Sequence, residues 1–457
     1  MQIQTINPAT GEIIQSYETL SPEKINQILD QVKNAQTLWR NFSFSDRKEK
    51  MQRVAKLLEK DKEKYARLIA TEMGKPISFA RAEIEKCTLV CDYYANEAEN
   101  YLAQKEIKTN FLKSYVSYQP LGIVFAIMPW NFPFWQVFRF AAPNLMAGNA
   151  GVLAHAQIVT GCGIEIEKIF QSAGFPADLF RTVIINHDDA KYIVQHETIS
   201  AVTLTGSERA GRSVGSAAAN ALKKVVLELG GSDPYIVLAD ADLEKAADNI
   251  VKSRMNNSGQ VCIAAKRIIA VKSIHDALQT VILEKLKKIK MGDPLSESTN
   301  LGPLARADLR ETVHRQVIFS IEKGAKLLCG GFIPSEEKGF YYPPTVLNQV
   351  IPGMPAFDEE IFGPVIAMIS ANDENHAIDL ANQSRFGLAG AVFTNDLEKG
   401  ETIARDKIAV GTCYVNSLVS SDPRLPFGGI KASGYGRELS AEGIREFTNI
   451  KTVCVSS

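Results

Sequence analysis

Ala201-Val202-Thr203-Leu204-Thr205-Gly206-Ser207-Glu208-Arg209-Ala210-Gly211 is a short apolar run that ends in a glycine turn and opens a helix. Apolar and β-branched residues up to Leu204 suit a buried strand, and Gly206 permits the tight turn out of it. Such a turn leaves backbone N–H groups unpaired at the positive end of the next helix, which suits a pyrophosphate. Upstream, the strand-like runs Ile123 to Ile127, Val152 to Leu153 and Thr182 to Ile185 alternate with helical stretches. That rhythm implies a parallel sheet with crossover helices, so this half reads as nucleotide-binding. The full Gly-x-Gly-x-x-Gly fingerprint is missing, and the turn by itself also fits an ordinary strand-to-helix connection.

A second alternating series follows Gly231: Tyr235 to Leu238, Asp242 to Met255, Arg267 to Val271, His275 to Ile289, Val365 to Ile369, His376 to Ala381 and Ala389 to Phe393. The fold class is therefore α/β with two parallel-sheet halves, and a cleft between them is the expected active site. The amino-terminal region reads as mostly helical. Ser21-Pro22-Glu23 supplies a cap, a first-turn proline and an acid, with Ile25, Ile28, Leu29 and Val32 at helical spacing behind it. Met51, Val54, Leu57 and Leu58, then the run from Ile84 to Tyr101, continue that pattern.

A chain of 457 residues that is 45% hydrophobic can bury a large core in two or three domains. Its net charge of -1 gives no electrostatic case for nucleic acid or an anionic membrane as partner. Seven scattered cysteines form no disulfide framework and suggest a reducing compartment. Cys87 and Cys91 lie one helical turn apart without a companion metal-ligand pair, so packing is the better reading. The terminus Met1 to Pro8 does not resemble a secretory signal, and the apolar stretch Leu121 to Trp135 is too short to span a bilayer. A soluble cytoplasmic protein is the expectation.

Chemistry is suggested by Cys262, in Ser258-Gly259-Gln260-Val261-Cys262, and by Glu228, in Leu227-Glu228-Leu229-Gly230-Gly231. Gly259 would let the backbone approach a bound molecule, and Glu228 would sit at the end of a strand from Val225 to Leu229. Burial there raises a carboxyl group toward the range of a base working near neutral pH. Spacing alone does not outweigh a structural cysteine and a surface glutamate.

Five segments in order resemble the aldehyde dehydrogenase superfamily across nearly the whole chain. They are the Cys262 and Glu228 motifs, Pro129-Trp130-Asn131-Phe132-Pro133, Glu359-Glu360-Ile361-Phe362-Gly363-Pro364-Val365 and Pro426-Phe427-Gly428-Gly429-Ile430-Lys431. The likeness is to the succinate-semialdehyde branch. It implies two Rossmann-like domains: a cofactor domain of 1–105 and 123–229, and a catalytic domain of 230–415. It also implies a small β arm, 106–122 with 440–457, that makes a homodimer or homotetramer. By the same resemblance Cys262 is the nucleophile, Asn131 holds the oxyanion and Glu228 activates the hydrolytic water. Pro129, Trp130, Gly206, Ser207, Gly211, Leu229, Glu360 and Phe362 would line the site for NAD or NADP.

Departures from the pattern carry information too. Ala154 stands where the family usually places a ribose-binding lysine, so weaker cofactor binding is expected. Gln157 replaces a glutamate of many NAD-specific relatives, which lowers repulsion of a 2'-phosphate and leaves NADP open. Arg139, eight residues after Asn131, matches the branch's carboxylate-gripping arginine, with Ser421 near a second substrate position. A snorkelling arginine on an aromatic-rich helix is the bland alternative. The branch's other arginine is Asn256 here, and its second cysteine is Ala264. A cofactor-free thiol hydrolase, and a binding or assembly protein that has lost catalysis, remain as readings from other classes.

Overall fold

The computed structural model describes residues 2–335 and 338–456. Its helical start follows the local sequence. Ser21 accepts the Lys24 N–H ahead of the helix Pro22–Trp39, which buries Ile25, Ile28, Leu29 and Val32. The helix Phe44–Lys60 packs on Ile77–Tyr101, and Met51, Val54, Leu58, Ile84, Cys87 and Cys91 enter one core. Both cysteines are thus packing residues, and burial pushes their thiols well above the ordinary range. Not read from the sequence is the hairpin of Gln2–Ile6 with Ile13–Glu18 that precedes these helices.

The strand Ile199–Thr205 lies between Ile123–Met128 and Lys224–Glu228 and is parallel to both. Ala150–His155 and Phe180–Thr182 extend this six-stranded sheet on one side, and the short antiparallel Gly434–Tyr435 closes the other. One expectation needs correction here: the strand placed at Thr182 to Ile185 is Phe180–Thr182. Val183 is buried just past the strand end and its N–H still donates to the Leu153 carbonyl at 2.8 Å, while Ile185 is buried in the core beyond it.

A second sheet of seven strands carries the other half. Its order is Lys326–Cys329, Thr345–Asn348, Val365–Ala371, Arg267–Val271, Pro234–Val237, Ala389–Phe393 and Thr412–Val415. Only the first pair is antiparallel. Ile236 and Ile269 face one apolar core while Tyr235, Val237, Ile268 and Ala270 face another, so both sides are covered, as parallel sheets require. The chain is an α/β protein with two Rossmann-like parallel-sheet domains.

A small third sheet pairs Lys113–Pro120 with Thr448–Val455, in register from Thr448 opposite Pro120 to Val455 opposite Lys113. Lys105–Glu106 adds a short third strand, and 107–112 only connects it to the next. Residues Ser440–Glu446 form a helix ahead of the last strand. Among the described residues no helix is long and apolar enough to cross a membrane.

Candidate active site

Three strand ends meet at one edge of the first sheet. Thr205 lies opposite Glu228 in register, and the Gly206 N–H donates to the Glu228 carbonyl at 2.9 Å. On the other side of Ile199–Thr205, the strand Ile123–Met128 runs directly into Pro129-Trp130-Asn131. Ligands of open α/β sheets bind outside such carboxyl ends.

Cys262 reaches this edge on a strained turn. Asn257 and Ser258 adopt left-handed conformations, φ 50° and 56°, and Gly259 follows at 75°. Non-glycine residues pay about 1–3 kcal/mol each for this backbone, so specific bonds must hold it. The Asn257 amide donates to the Asn131 carbonyl at 2.8 Å, the Ser258 hydroxyl to the Gly302 carbonyl at 2.8 Å, and the Asn131 amide to the Gln260 carbonyl at 3.0 Å. The loops of Asn131 and Cys262 are thereby tied to each other. Gly259 has a different reason from the one expected. A Cβ there would stand 2.2 Å from the Gly363 carbonyl oxygen, so close packing of two backbones, rather than approach of a ligand, demands glycine.

Cys262 and Gln136 are the two residues shared by the walls of two adjoining cavities. The first, of about 250 Å³, is lined by Pro129, Trp130, Asn131, Gly206, Ser207, Leu229, Glu360 and Phe362 among others. The second, of about 270 Å³, holds Lys86, Arg139, Asn256 and Ser421 with Trp135 and Phe427. Most sequence-selected residues therefore converge. Four lie outside these walls, among them Gln157, on the short turn Gln157–Val159. Gly211 sits where a Cβ would come 2.6 Å from a Leu229 methyl, so it serves helix-to-strand packing. Ala154 is buried within the strand Ala150–His155, opposite Ile127. Glu228, 2% exposed, turns its Oε1 toward Gly428 and leaves that atom without a hydrogen-bond partner.

Burial dominates the electrostatics. It pushes the Cys262 thiol up to about 12 despite the opposing charges of Lys266 and Arg139. Glu228 is raised well above the usual carboxylate range by burial first and by Glu438 second, with Arg139 and Arg437 opposing. Arg139 does line the second cavity, yet its Nε lies 2.5 Å from Glu438 Oε2, and both side chains are buried. The Lys86 ammonium donates to the Ser421 hydroxyl at 2.7 Å and lies 4.3 Å from the Trp135 ring centre.

The residues lining the first cavity fit the nicotinamide end of a dinucleotide. Ser207 caps the thirteen-residue helix Glu208–Asn220 by accepting the Ala210 N–H, and helix starts of this kind offer further N–H donors to phosphate. At Gly206 a Cβ would meet no protein atom closer than 3.7 Å, so protein packing does not impose this glycine. Trp130 and Phe362 meet edge to face, 5.7 Å apart, as an aromatic wall. Glu360 accepts the Gly231 N–H at 3.1 Å and pairs with Lys266 at 3.2 Å through Oε1, while Oε2 lies against Gly230; a carboxylate is the group that would take sugar hydroxyls here. At position 154 the alanine offers no donor.

Sequence reasoning missed Lys266, Glu438 and Lys86. Lys266 grips the Val261 carbonyl at 3.0 Å and also the Cys262 carbonyl, and its signal was its place four residues past the cysteine. Lys86 is half-buried beside the buried stripe of Glu83, Ile84 and Cys87, a place where a lysine gives no local signal.

The model of the aldehyde dehydrogenase family matches residues 1–453. A probable succinate-semialdehyde dehydrogenase [NADP(+)] of Synechocystis sp. is 46% identical, with 100% of both chains covered. The succinate semialdehyde dehydrogenase [NAD(P)+] of Escherichia coli is 44% identical over 98% of this chain and 97% of its own. Among solved structures, succinic semialdehyde dehydrogenase from Streptococcus pyogenes in complex with NADP+ superposes with a TM-score of 0.97 at 34% identity, covering 100% of both. These matches favour neither the cofactor-free hydrolase nor the binding-protein reading. With its five motifs gathered around one cysteine, the chain belongs to the aldehyde dehydrogenase family.

Proposed function

We propose that the substrate of this NAD(P)-dependent aldehyde dehydrogenase is succinate semialdehyde or a similar short aldehyde carrying a carboxylate. The observation that carries this is Cys262 on the common wall of a cavity lined for the nicotinamide end of a dinucleotide and a second, small, cation-bearing one. At about 270 Å³ the second lies just below the roughly 300–1,000 Å³ of drug-sized ligand pockets, which suits a short molecule. The names of the relatives from Synechocystis sp. and Escherichia coli support the same substrate.

In this reading the Cys262 thiolate adds to the aldehyde carbon, and the carbonyl π pair moves to oxygen. The oxyanion is held by the Asn131 amide, which has one donor left beside the Gln260 bond, and by the Cys262 backbone N–H. A bound nicotinamide, held by Gly206, Ser207, Glu360, Phe362 and the Pro129–Trp130 wall, supplies the two-electron acceptor chemistry. Cys262 then carries the acyl group as a thioester, and Glu228 takes a proton from the water that releases the acid. Gln157 in place of an acid accommodates a 2'-phosphate, so NADP as well as NAD is expected to serve.

The arm supports assembly. Thr448–Val455 is an edge strand with Ile450 and Val455 exposed on it, and Ile107, Phe111 and Leu112 are exposed on the connection between the other two strands. Such an edge recruits a partner sheet, here from a second copy in a homodimer or homotetramer. A cytoplasmic location completes the reading.

The test follows reduced-nicotinamide absorbance with succinate semialdehyde and either NAD+ or NADP+. Wild type should turn over and Cys262→Ala should not. Acid formation without cofactor, or near-normal turnover of Cys262→Ala, overturns the reading.

A further inference from the structure

Resting on that reading, we infer that Lys86 is the cation that binds the distal carboxylate of the aldehyde in the second cavity. Four observations support it. First, Lys86 lines the cavity that Cys262 borders, and its ammonium meets the Ser421 hydroxyl and the face of Trp135. Second, among the described residues no carboxylate pairs with it. The two acids nearest in charge are committed elsewhere: Glu83 is paired with Lys75 and accepts the Phe134 and Trp135 N–H groups at 2.8 and 3.0 Å, and Asp422 pairs with Arg424 at 2.7 Å.

Third, the arginine that the resemblance singled out already has a carboxylate partner, because Arg139 and Glu438 form a buried pair at 2.5 Å. Fourth, position 256, on the same cavity wall, carries an uncharged amide. With Arg139 paired and Asn256 neutral, Lys86 is the inward cation of this wall that no carboxylate pairs with among the described residues, while Lys252 is exposed at the rim. Burial, aided by the charge of Arg139, pulls the Lys86 ammonium down to about 8, which is the condition of a cation short of an anionic partner. An ammonium has three donors, and one is engaged by Ser421. A carboxylate entering the cavity takes another and offsets the desolvation.

The reading differs from one in which Arg139 is the anchor. Here Arg139 with Glu438 shapes the floor, packed over the Phe427 ring at 4.8 Å, and Lys86 with Ser421 selects charge.

The experiment compares kcat/KM for succinate semialdehyde with that for butanal, the aldehyde without the carboxylate, in wild type, Lys86→Met, Lys86→Arg and Arg139→Met. Lys86→Met should lower the ratio about 30-fold, or about 2 kcal/mol at 1.4 kcal/mol per tenfold, mostly through KM for the charged substrate. Lys86→Arg should keep the ratio within about threefold, since a cation remains. If Lys86→Met does not yield folded protein that binds NADP+, Lys86→Gln, which keeps a donor for Ser421, gives the same comparison. An unchanged ratio in Lys86→Met or Lys86→Gln, above all with a ratio lost in Arg139→Met, overturns the assignment. A wild type that shows no preference for the charged aldehyde refutes the substrate reading itself, and wild type without cofactor reduction refutes aldehyde oxidation.

Discussion

Replacing Glu228 by glutamine tests the mechanism and the buried charge in one variant. The side chains are nearly the same size, so packing is kept while a buried ionisable group becomes neutral. Burial, then Glu438, holds the Glu228 carboxyl well above its ordinary range, so in the folded state it stays protonated past the point where the unfolded chain ionises. The sign follows from linkage. A raised folded-state value means stability is fully present below the unfolded pKa, about 4.3, and is lost as pH rises toward the folded one, by about 1.36 kcal/mol per pH unit. Glu228→Gln lacks this loss, so it should melt above wild type at pH 7 and converge with it near pH 4.

Kinetically the variant removes the base for the last step only. General-base catalysis contributes roughly 10²–10⁴-fold, so steady-state turnover should fall by that order while acylation of Cys262 proceeds. Rapid mixing should then show a burst of about one reduced cofactor per active site, followed by slow release. Turnover within threefold of wild type without a burst refutes the role of Glu228. A melting difference that is independent of pH, or of opposite sign, refutes the buried-acid account.

Two further outcomes follow from the same site. Ala154→Lys should lower the KM for cofactor about fivefold, the equivalent of one hydrogen bond worth about 1 kcal/mol, with kcat little changed; no improvement in KM counts against the ribose role of that position. Alkylation of Cys262 by iodoacetamide in cofactor-free enzyme, followed by the mass of its peptide, should climb about tenfold per pH unit from 7 to 10, because burial sets the thiol at about 12. A plateau below pH 9 contradicts that setting.

Much of the fold was legible because its signals are local. The run from Ala201 to Gly211 became the strand Ile199–Thr205, a turn and the helix Glu208–Asn220. Arg267 to Val271 and Ala389 to Phe393 became strands with the same limits. Local pattern failed where burial has another cause. Ile185 looks like a strand residue but packs beyond the strand end, and the strand Ile13–Glu18 is largely exposed and so lacks the apolar alternation that marks a half-buried one. The candidate site divides the same way. Cys262, Glu228 and Asn131 sit in recognisable motifs, whereas Lys86 meets Ser421 across 335 positions and Arg139 meets Glu438 from the other end of the chain. No periodicity reports a contact between segments so far apart.

The buried charges around the two cavities sort by whether they have a partner. Lys75 with Glu83, Arg139 with Glu438 and Lys266 with Glu360 are paired, and such pairs add little net stability once desolvation is counted. What each does is fix geometry. Glu83 receives the N–H groups that follow the Asn131 loop, Lys266 holds the carbonyls of Val261 and Cys262, and Glu438 immobilises Arg139. Among the described residues Cys262, Glu228 and Lys86 have no counter-ion, and burial has moved each away from its ordinary range; Arg254 has none either, but its guanidinium is taken up by the Gly259, Ile361 and Val365 carbonyls. A fold that spends buried pairs on position leaves its unpaired groups to meet what enters from outside: an aldehyde carbon for the thiol, a water for the acid, a carboxylate for the lysine.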